Sequence, residues 1–344
     1  MTFAIALLDN FWVFLVVKLL AVVIVLLGFS LAIIYAELKV MAHMQARIGP
    51  YFAGGRWGWA QPIADALKFL QKEDLAPTGA DRTVYGFAPY VVMMSTIAVF
   101  VVIPFGPDLV GADLDVGAYY LLAISSLSVL GVLMAGWSSA NKYSLIGGLR
   151  AAAQLIAYEL PLVLAVVAVV IQAGTMSMVG IVEAQNEAWF HIGSFEVAVP
   201  YLVRGQIISF LIFMIAAVAE LSRIPFDMPI AESELTMGYL TEYSGIRFTM
   251  FFLGEYASMI ALSAIAATLF LGGYAVPGVD GVLANLAGPG VLVFKVAILV
   301  FIIIWIRWTW PRFREDQLQK LAWTWLIPIA LVNIFVISIF KVVF

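Results

Sequence analysis

Eight apolar stretches of about twenty residues or more dominate this sequence and restrict what it can fold into. They lie at about 11–36, 84–104, 119–140, 152–173, 202–220, 247–273, 289–309 and 322–342. A bilayer core requires about 20 apolar residues per helix, and a segment within lipid must satisfy its backbone hydrogen bonds internally. The alternating pattern of a membrane barrel is absent from the sequence. We therefore predict an all-α polytopic membrane protein, with eight transmembrane helices in a single membrane domain over residues 1–344.

Composition supports this class and excludes others. Hydrophobic residues make up 64% of the chain and charged residues 12%, whereas soluble domains average about 45–50% and about 25%. The net charge of -4 argues against nucleic-acid binding, which requires a basic face. The absence of cysteine excludes disulfides, thiolate zinc sites and cysteine-ligated iron–sulfur clusters in this chain. The two histidines, His43 and His191, fall on opposite sides of the predicted membrane, so we expect no metal or haem here and expect partner subunits to carry any electrons.

Basic residues orient the predicted helices. Four alternate loops hold 14 of the 18 Lys and Arg residues, namely Lys39, Arg47, Arg56, Lys68, Lys72, Arg82, Lys142, Arg150, Arg223, Arg247, Arg307, Arg312, Arg314 and Lys320. By the positive-inside rule these loops are cytoplasmic, which predicts a multi-pass protein with both termini facing outward. The segment Met1–Asn10 has no basic residue and favours a retained first span over a cleaved signal.

The first cytoplasmic loop, Glu37–Thr83, contains an amphipathic segment. In Pro62–Lys72, the residues Ile63, Ala66, Leu67 and Leu70 recur at helical spacing on one face, with charged residues opposite. This pattern predicts an interfacial helix. Its apolar face either anchors the loop to the bilayer surface or borders an entrance for a lipid-soluble ligand, and the sequence leaves both interpretations open.

Several acidic residues lie within the apolar stretches that are predicted to cross the membrane. Glu159, Glu220 and Glu255 fall in or at the edges of apolar stretches, where an unpaired charge costs about 2.5–3.5 kcal/mol at a helix centre. Burial and mutual repulsion raise the proton affinity of such acids, so proton transfer is a candidate role beside a structural hydrogen bond. The third cytoplasmic loop continues the series with Asp227, Glu232, Glu234 and Glu242.

Four sequence motifs resemble a known family. They are Gln61–Lys68 with Lys72–Asp74, Gly136–Gln154 with Tyr158–Glu159, Arg223–Asp227 with Ala231–Leu235 and Thr241–Tyr243, and Arg307–Arg314 with Asp316–Leu318. In this order they are similar to the membrane-arm heel subunits of respiratory complex I, the proton-pumping NADH:quinone oxidoreductase. The motifs cover all four cytoplasmic loops.

The resemblance implies a non-redox subunit that joins the membrane arm to the quinone-proximal hydrophilic arm. It also implies the bacterial inner membrane, with both termini periplasmic. Quinone would be the substrate, and flavin and iron–sulfur clusters would reside in partner subunits. By motif, Arg47, Asp65 and Lys68 would line the quinone tunnel. A proton-coupling series would be formed by Glu159, Glu220, Asp227, Glu232, Glu234, Glu242 and Glu255.

Two other functions compete with this one. A related subunit serves membrane-bound hydrogenases and the photosynthetic complex that takes electrons from ferredoxin. A stand-alone proton-coupled transporter would also explain buried acids, but we find no internal repeat of the kind on which many transporters are built. Subunit identification in a purified complex discriminates among the three.

Overall fold

The computed structural model describes residues 11–192, 195–275 and 282–343. The retained first span expected from Met1–Asn10 lies partly outside these residues. The helices are α1 Phe11–Met44, α2 Gln61–Gln71, α3 Arg82–Val99, α4 Gly117–Ser138, α5 Lys142–Ala173, α6 Met178–Asn186, α7 Ile207–Glu220, α8 Glu232–Leu235, α9 Gly245–Phe270, α10 Val282–Thr309, α11 Glu315–Lys320 and α12 Ile327–Val343. Irregular helical turns at Leu202–Gln206, Gly238–Leu240 and Leu321–Leu326 adjoin α7, α9 and α12.

Seven helical segments of the described part are long and apolar enough to cross a bilayer. They correspond to seven of the eight predicted stretches and confirm the all-helical membrane class. The stretch predicted at about 84–104 forms α3, an 18-residue helix that begins with Arg82 and contains Pro89. It is not among the seven, so the count of eight stays a prediction.

The chain divides into two compact units, Met1–Ala66 and Leu67–Phe344. In the first, α1 extends to Met44, eight residues past its predicted end, and the following loop folds back onto it. Lys39 Nζ donates to the Pro50 carbonyl at 2.6 Å. Gly58 has φ +65°, and a Cβ there would lie 2.2 Å from the Pro50 oxygen, so only glycine fits this close approach.

In the second unit, α5 is the central helix and packs against α4, α7 and α12. It begins ten residues before the predicted span because Asn141 caps it, its side chain accepting from the Tyr143 amide at 2.8 Å. Gly174, at φ +77°, ends it. Gly136 of α4 and Gly148 of α5 meet backbone to backbone, since a Cβ on Gly136 would lie 2.8 Å from the Gly148 Cα. Glycine therefore sets how closely these helices approach.

The loops of the second unit gather at two ends. At the end we call the loop end, Asn141 donates to Glu242 and Arg150 pairs with Glu234, which brings the second and third basic loops together as the charge pattern predicts. At the opposite end, Arg204 donates to the carbonyls of Ala184, Gln185 and Glu187. Beside them lies an antiparallel hairpin of β1 Ala188–Ile192 and β2 Phe195–Ala198, which the sequence analysis does not predict.

Candidate functional site

A buried ion pair lies just below the loop end. Arg223 follows α7 and is 2% exposed, and its Nε lies 3.0 Å from Oε1 of Glu255 on α9. The guanidinium also stacks over the Tyr256 ring, with Cζ 4.6 Å from the centroid. A buried cation requires such compensation, since an unpaired charge in the interior is strongly unfavourable. The pair therefore ties the acidic loop to α9.

Asp227 lies four residues further along the same loop and is half-buried. Phe226, next to it, packs its ring against Tyr158 of α5 and Phe313. Burial raises the pKa of Asp227 to about 6, against the opposing effect of Arg312 and Arg307 and with a smaller contribution from neighbouring carboxylates. A carboxyl group with this pKa exchanges its proton near neutral pH.

Glu234 lies on the short helix α8 in a different environment. Its side chain is 51% exposed, and Arg150 Nη1 lies 2.9 Å from its Oε2. Arg312 Nη2 lies 3.6 Å from its other oxygen. The hydrogen bond from Arg150 and the charge of Arg312 hold the pKa of Glu234 below its usual value. Glu234 is therefore an acid of the loop whose negative charge is stabilised, because the two arginines outweigh the opposing effect of burial.

An open cleft of about 790 Å³ surrounds this arginine pair. Arg150 also approaches Glu315 of α11, with Nε 3.4 Å from Oε2. The cleft is lined by Arg150, Met228, Glu234, Arg312, Phe313, Arg314, Glu315, Asp316 and Gln319. Charges of both signs thus face one solvent-accessible space at the loop end.

Glu242 is held by two helices and is half-buried. The amide of Asn141, the N-cap residue of α5, donates to its carboxylate. The hydroxyl of Tyr85 on α3 donates to its backbone carbonyl at 2.7 Å. Both the carboxylate and the backbone of Glu242 are therefore fixed in position.

Two further acids lie in the spanning helices. Glu159 is in α5, Glu220 is the last residue of α7, and their carboxylates are close enough to interact electrostatically. The side-chain amide of Gln154 donates to the carbonyls of Ala219 and Phe226 at 2.7 and 2.8 Å. This amide joins the end of α7 to the loop that carries Asp227.

The seven predicted coupling acids therefore differ in exposure. Glu232 and Glu234 are exposed in this chain, and the other five are half-buried, namely Glu159, Glu220, Asp227, Glu242 and Glu255. All seven acids belong to the second unit, where they lie at the loop end or in the helices next to it.

The three predicted tunnel residues lie in the first loop and on α2. Arg47 is exposed and donates from Nε to Gln45 at 2.8 Å, in the first unit. Asp65 accepts from Gln61 at 2.9 Å on α2, and Lys68 lies one turn later on that helix, exposed. Their role in a tunnel stays a prediction.

Sequence reasoning did not assign Arg150, Arg223, Arg312 or Gln154 to the site. The available signal is the occurrence of arginines in and around a loop that is otherwise acidic, since buried carboxylates require cationic partners. No group of three or more His, Asp or Glu side chains within residues 11–192, 195–275 and 282–343 is arranged to hold a metal ion.

Comparisons with known proteins agree with this architecture. The family model described as NADH dehydrogenase matches residues 17–338. The H subunit of the NADH-quinone oxidoreductase of Anoxybacillus flavithermus is 45% identical over 323 residues, covering 93% of this chain and 92% of the relative. The second H subunit of Syntrophobacter fumaroxidans is 48% identical over 332 residues, 94% of each chain. The H subunit of Bacillus mycoides is 45% identical over 338 residues, covering 98% and 96%. The chain is a membrane protein that belongs to the NADH dehydrogenase family, alongside relatives named as H subunits of NADH-quinone oxidoreductases.

Proposed function

We propose that this chain is the membrane subunit of a proton-translocating NADH:quinone oxidoreductase that frames the path of quinone and couples its reduction to proton pumping. The observation that carries the coupling role is the arrangement around Arg223. This buried cation pairs with Glu255, and the same loop carries Asp227, whose pKa of about 6 suits proton exchange. Glu220, the last residue of α7, interacts electrostatically with Glu159 of α5.

The chemistry follows from the charge that quinone reduction creates. Reduction to quinol takes up two electrons and two protons, and this cysteine-free chain supplies no iron–sulfur ligands. Flavin and iron–sulfur clusters in partner subunits of the hydrophilic arm would deliver the electrons. Charge that appears near a poorly hydrated site acts strongly on neighbouring carboxylates. Asp227 would respond first by changing its proton occupancy, and Arg223 with Glu255 would pass the change into the spanning helices.

The amphipathic helix α2 suits the access path. Ile63, Leu67 and Leu70 on its apolar face are 44%, 54% and 61% exposed. An exposed apolar face beside charged residues accepts either the bilayer surface or a lipid-soluble quinone. Under the proposal Arg47, Asp65 and Lys68 line the polar side of this path. Attaching a photoreactive quinone and mapping the labelled residues tests the assignment, and labelling confined to other subunits would refute it.

The coupling role is tested by Glu220→Gln and Glu234→Gln in the assembled complex. Both variants remove a negative charge and retain the shape of the side chain, and we expect fewer protons pumped per quinol formed. Glu183→Gln is the matched control, since Glu183 is an exposed acid of α6. Unchanged activity and pumping in both test variants would refute the coupling role of these two acids.

Partners and orientation are tested separately. Purification in mild detergent with subunit identification should return the other membrane-arm subunits and a quinone-proximal arm with an NADH module. Recovery of a hydrogenase or of a ferredoxin-dependent complex instead would overturn the choice of electron donor. Because the chain has no cysteine, single substitutions Arg82→Cys and Asp108→Cys report sidedness cleanly. With both termini periplasmic in the inner membrane, an impermeant thiol reagent added to intact cells should label position 108 alone.

A further inference from the structure

The segment that follows α2 is fastened to the beginning of α9. The Ser244 hydroxyl donates to the Glu73 carbonyl and accepts from the Leu75 amide, both at 3.0 Å. Between these two bonds, Asp74 Oδ2 lies 3.1 Å from Nε of Arg247. Glu73, Asp74 and Leu75 are therefore held by Ser244, the N-cap residue of α9, and by Arg247 of α9.

Arg247 also contacts Tyr85, which supports Glu242. The Arg247 guanidinium lies over the ring of Tyr85, with Cζ 5.3 Å from the centroid. The Tyr85 ring stacks on Tyr243 with centroids 4.2 Å apart. The Tyr85 hydroxyl donates to the Glu242 carbonyl, and the Tyr243 hydroxyl donates to the Tyr85 carbonyl at 3.0 Å. One continuous set of contacts thus runs from Asp74 to Glu242.

The last turn of α2 belongs to this assembly. The Lys72 amide donates to the Lys68 carbonyl at 3.0 Å, which continues the helix into the fastened segment. Phe69 packs against Phe248 of α9 with ring centroids 5.5 Å apart. A displacement of the C-terminal turn of α2 therefore acts on α9 through a ring contact, two hydrogen bonds and an ion pair.

We propose that Asp74, Ser244 and Arg247 are positioning residues that fix Glu242 relative to the C-terminal turn of α2. A quinone on the exposed apolar face of α2 then acts on Glu242 through them. This inference rests on the proposed function, since it requires Glu242 to take part in coupling. It adds to that function a mechanical connection between the access path and one named acid.

Charge exchange in the assembled complex tests the connection. Asp74→Arg and Arg247→Asp each place two like charges opposite one another, and the double variant restores an attractive pair. The quantities measured are protons pumped per quinol formed and the KM and kcat for a short-chain quinone. We expect each single variant to lower the proton ratio and to shift KM more than kcat. The double variant restores the ion pair but not the contact of Arg247 with the Tyr85 ring, so it should recover part of both losses.

A structural role alone would give a different result. A variant that only impairs assembly lowers the amount of complex, but the complex that does assemble still pumps the wild-type number of protons per quinol formed. Ser244→Ala is the milder variant, which removes the two hydrogen bonds without a change in charge and should lower the ratio in the same direction. Arg82→Asp is the matched control because Arg82 is an exposed arginine at the start of α3, and its ratio should equal that of wild type.

The outcomes separate this inference from the proposed function. Wild-type ratios in Asp74→Arg, Arg247→Asp and Ser244→Ala, together with an altered ratio in Glu242→Gln, would overturn the connection and leave the coupling role of Glu242 standing. A wild-type ratio in Glu242→Gln would overturn both.

Discussion

Nε of Arg223 lies 3.0 Å from Oε1 of Glu255, although 32 residues separate them in sequence. The arginine side chain is 1% exposed and the glutamate side chain 25% exposed. The pair is therefore asymmetric, with a cation taken almost fully out of solvent and an anion that keeps some access to it. Removing the arginine and removing the glutamate should have unequal consequences.

The first prediction concerns the stability of this pair. Arg223→Met fills a similar volume but leaves Glu255 without its cation, so we expect the unfolding free energy to fall by roughly 3 kcal/mol. The double variant Arg223→Met with Glu255→Gln should recover part of the loss, because it also removes the charge that Arg223→Met leaves unpaired on Glu255. Thermal unfolding of the purified complex measures both. Equal destabilisation of single and double variants would contradict the assignment of the loss to unpaired charge.

The second prediction concerns pH and Asp227. Its pKa is raised from 3.8 to about 6 in the folded chain, so the unfolded chain releases the proton first as pH rises. The resulting cost of folding grows between about pH 4 and pH 6 and is constant above that range, reaching about 3 kcal/mol. Asp227→Asn has no such cost, because the asparagine side chain does not ionise. Its melting temperature should therefore rise relative to wild type between pH 4.5 and pH 7.5, whereas Asp316→Asn, at an exposed position, serves as the control. A pH-independent difference for Asp227→Asn would rule out the raised pKa.

The third prediction concerns Glu234, whose pKa is shifted in the opposite direction. Arg150 and Arg312 lower it, so the ion pairs contribute stability above the usual value near 4.5, and this contribution is lost as pH falls through the lower folded value. Because the side chain is 51% exposed, Glu234→Gln should cost less than about 1 kcal/mol at pH 7. A double-mutant cycle with Arg150→Gln measures the coupling. A cost of several kcal/mol would show that the cleft is far less hydrated than its exposure indicates.

The fourth prediction concerns the glycine on which the acidic loop packs. Gly238 has φ +54°, and a Cβ there would lie 1.7 Å from the Pro229 carbonyl oxygen. Gly238→Ala should therefore displace the loop backbone and lower both the yield of assembled complex and its melting temperature. Gly28→Ala is the control, since nothing lies within 4 Å of a Cβ at that position of α1. Wild-type assembly of Gly238→Ala would contradict the close approach described here.

Hydropathy predicts the spanning helices well because the bilayer imposes a length and a composition on each. It predicts their ends poorly. The helix α5 begins at Lys142 because Asn141 caps it, and α1 continues through His43, so polar residues extend both helices beyond the apolar stretch. The hairpin of β1 and β2 was not predicted because its strands have five and four residues, too short for a periodic signal.

The acids of the site could be predicted from sequence, but their environments could not. Asp227 and Glu234 belong to one loop and differ in the direction of their pKa shifts. The difference arises from the burial of Asp227 and from the hydrogen bond that Arg150 makes to Glu234. Arg150 lies 84 residues before Glu234 and meets it only in the folded chain. Pairing over such separations depends on how α5 packs against the loop, and no local pattern encodes it.

Pro161 lies inside α5, two residues after Glu159. A proline lacks the amide that would bond to the carbonyl four residues earlier, which here belongs to the buried residue Ala157. The missing bond makes this turn a point where the helix can bend at little cost. A bend there would move the part of α5 that carries Arg150 and Gln154 relative to the part that ends at Gly174. Glu159 lies at the junction of these two parts.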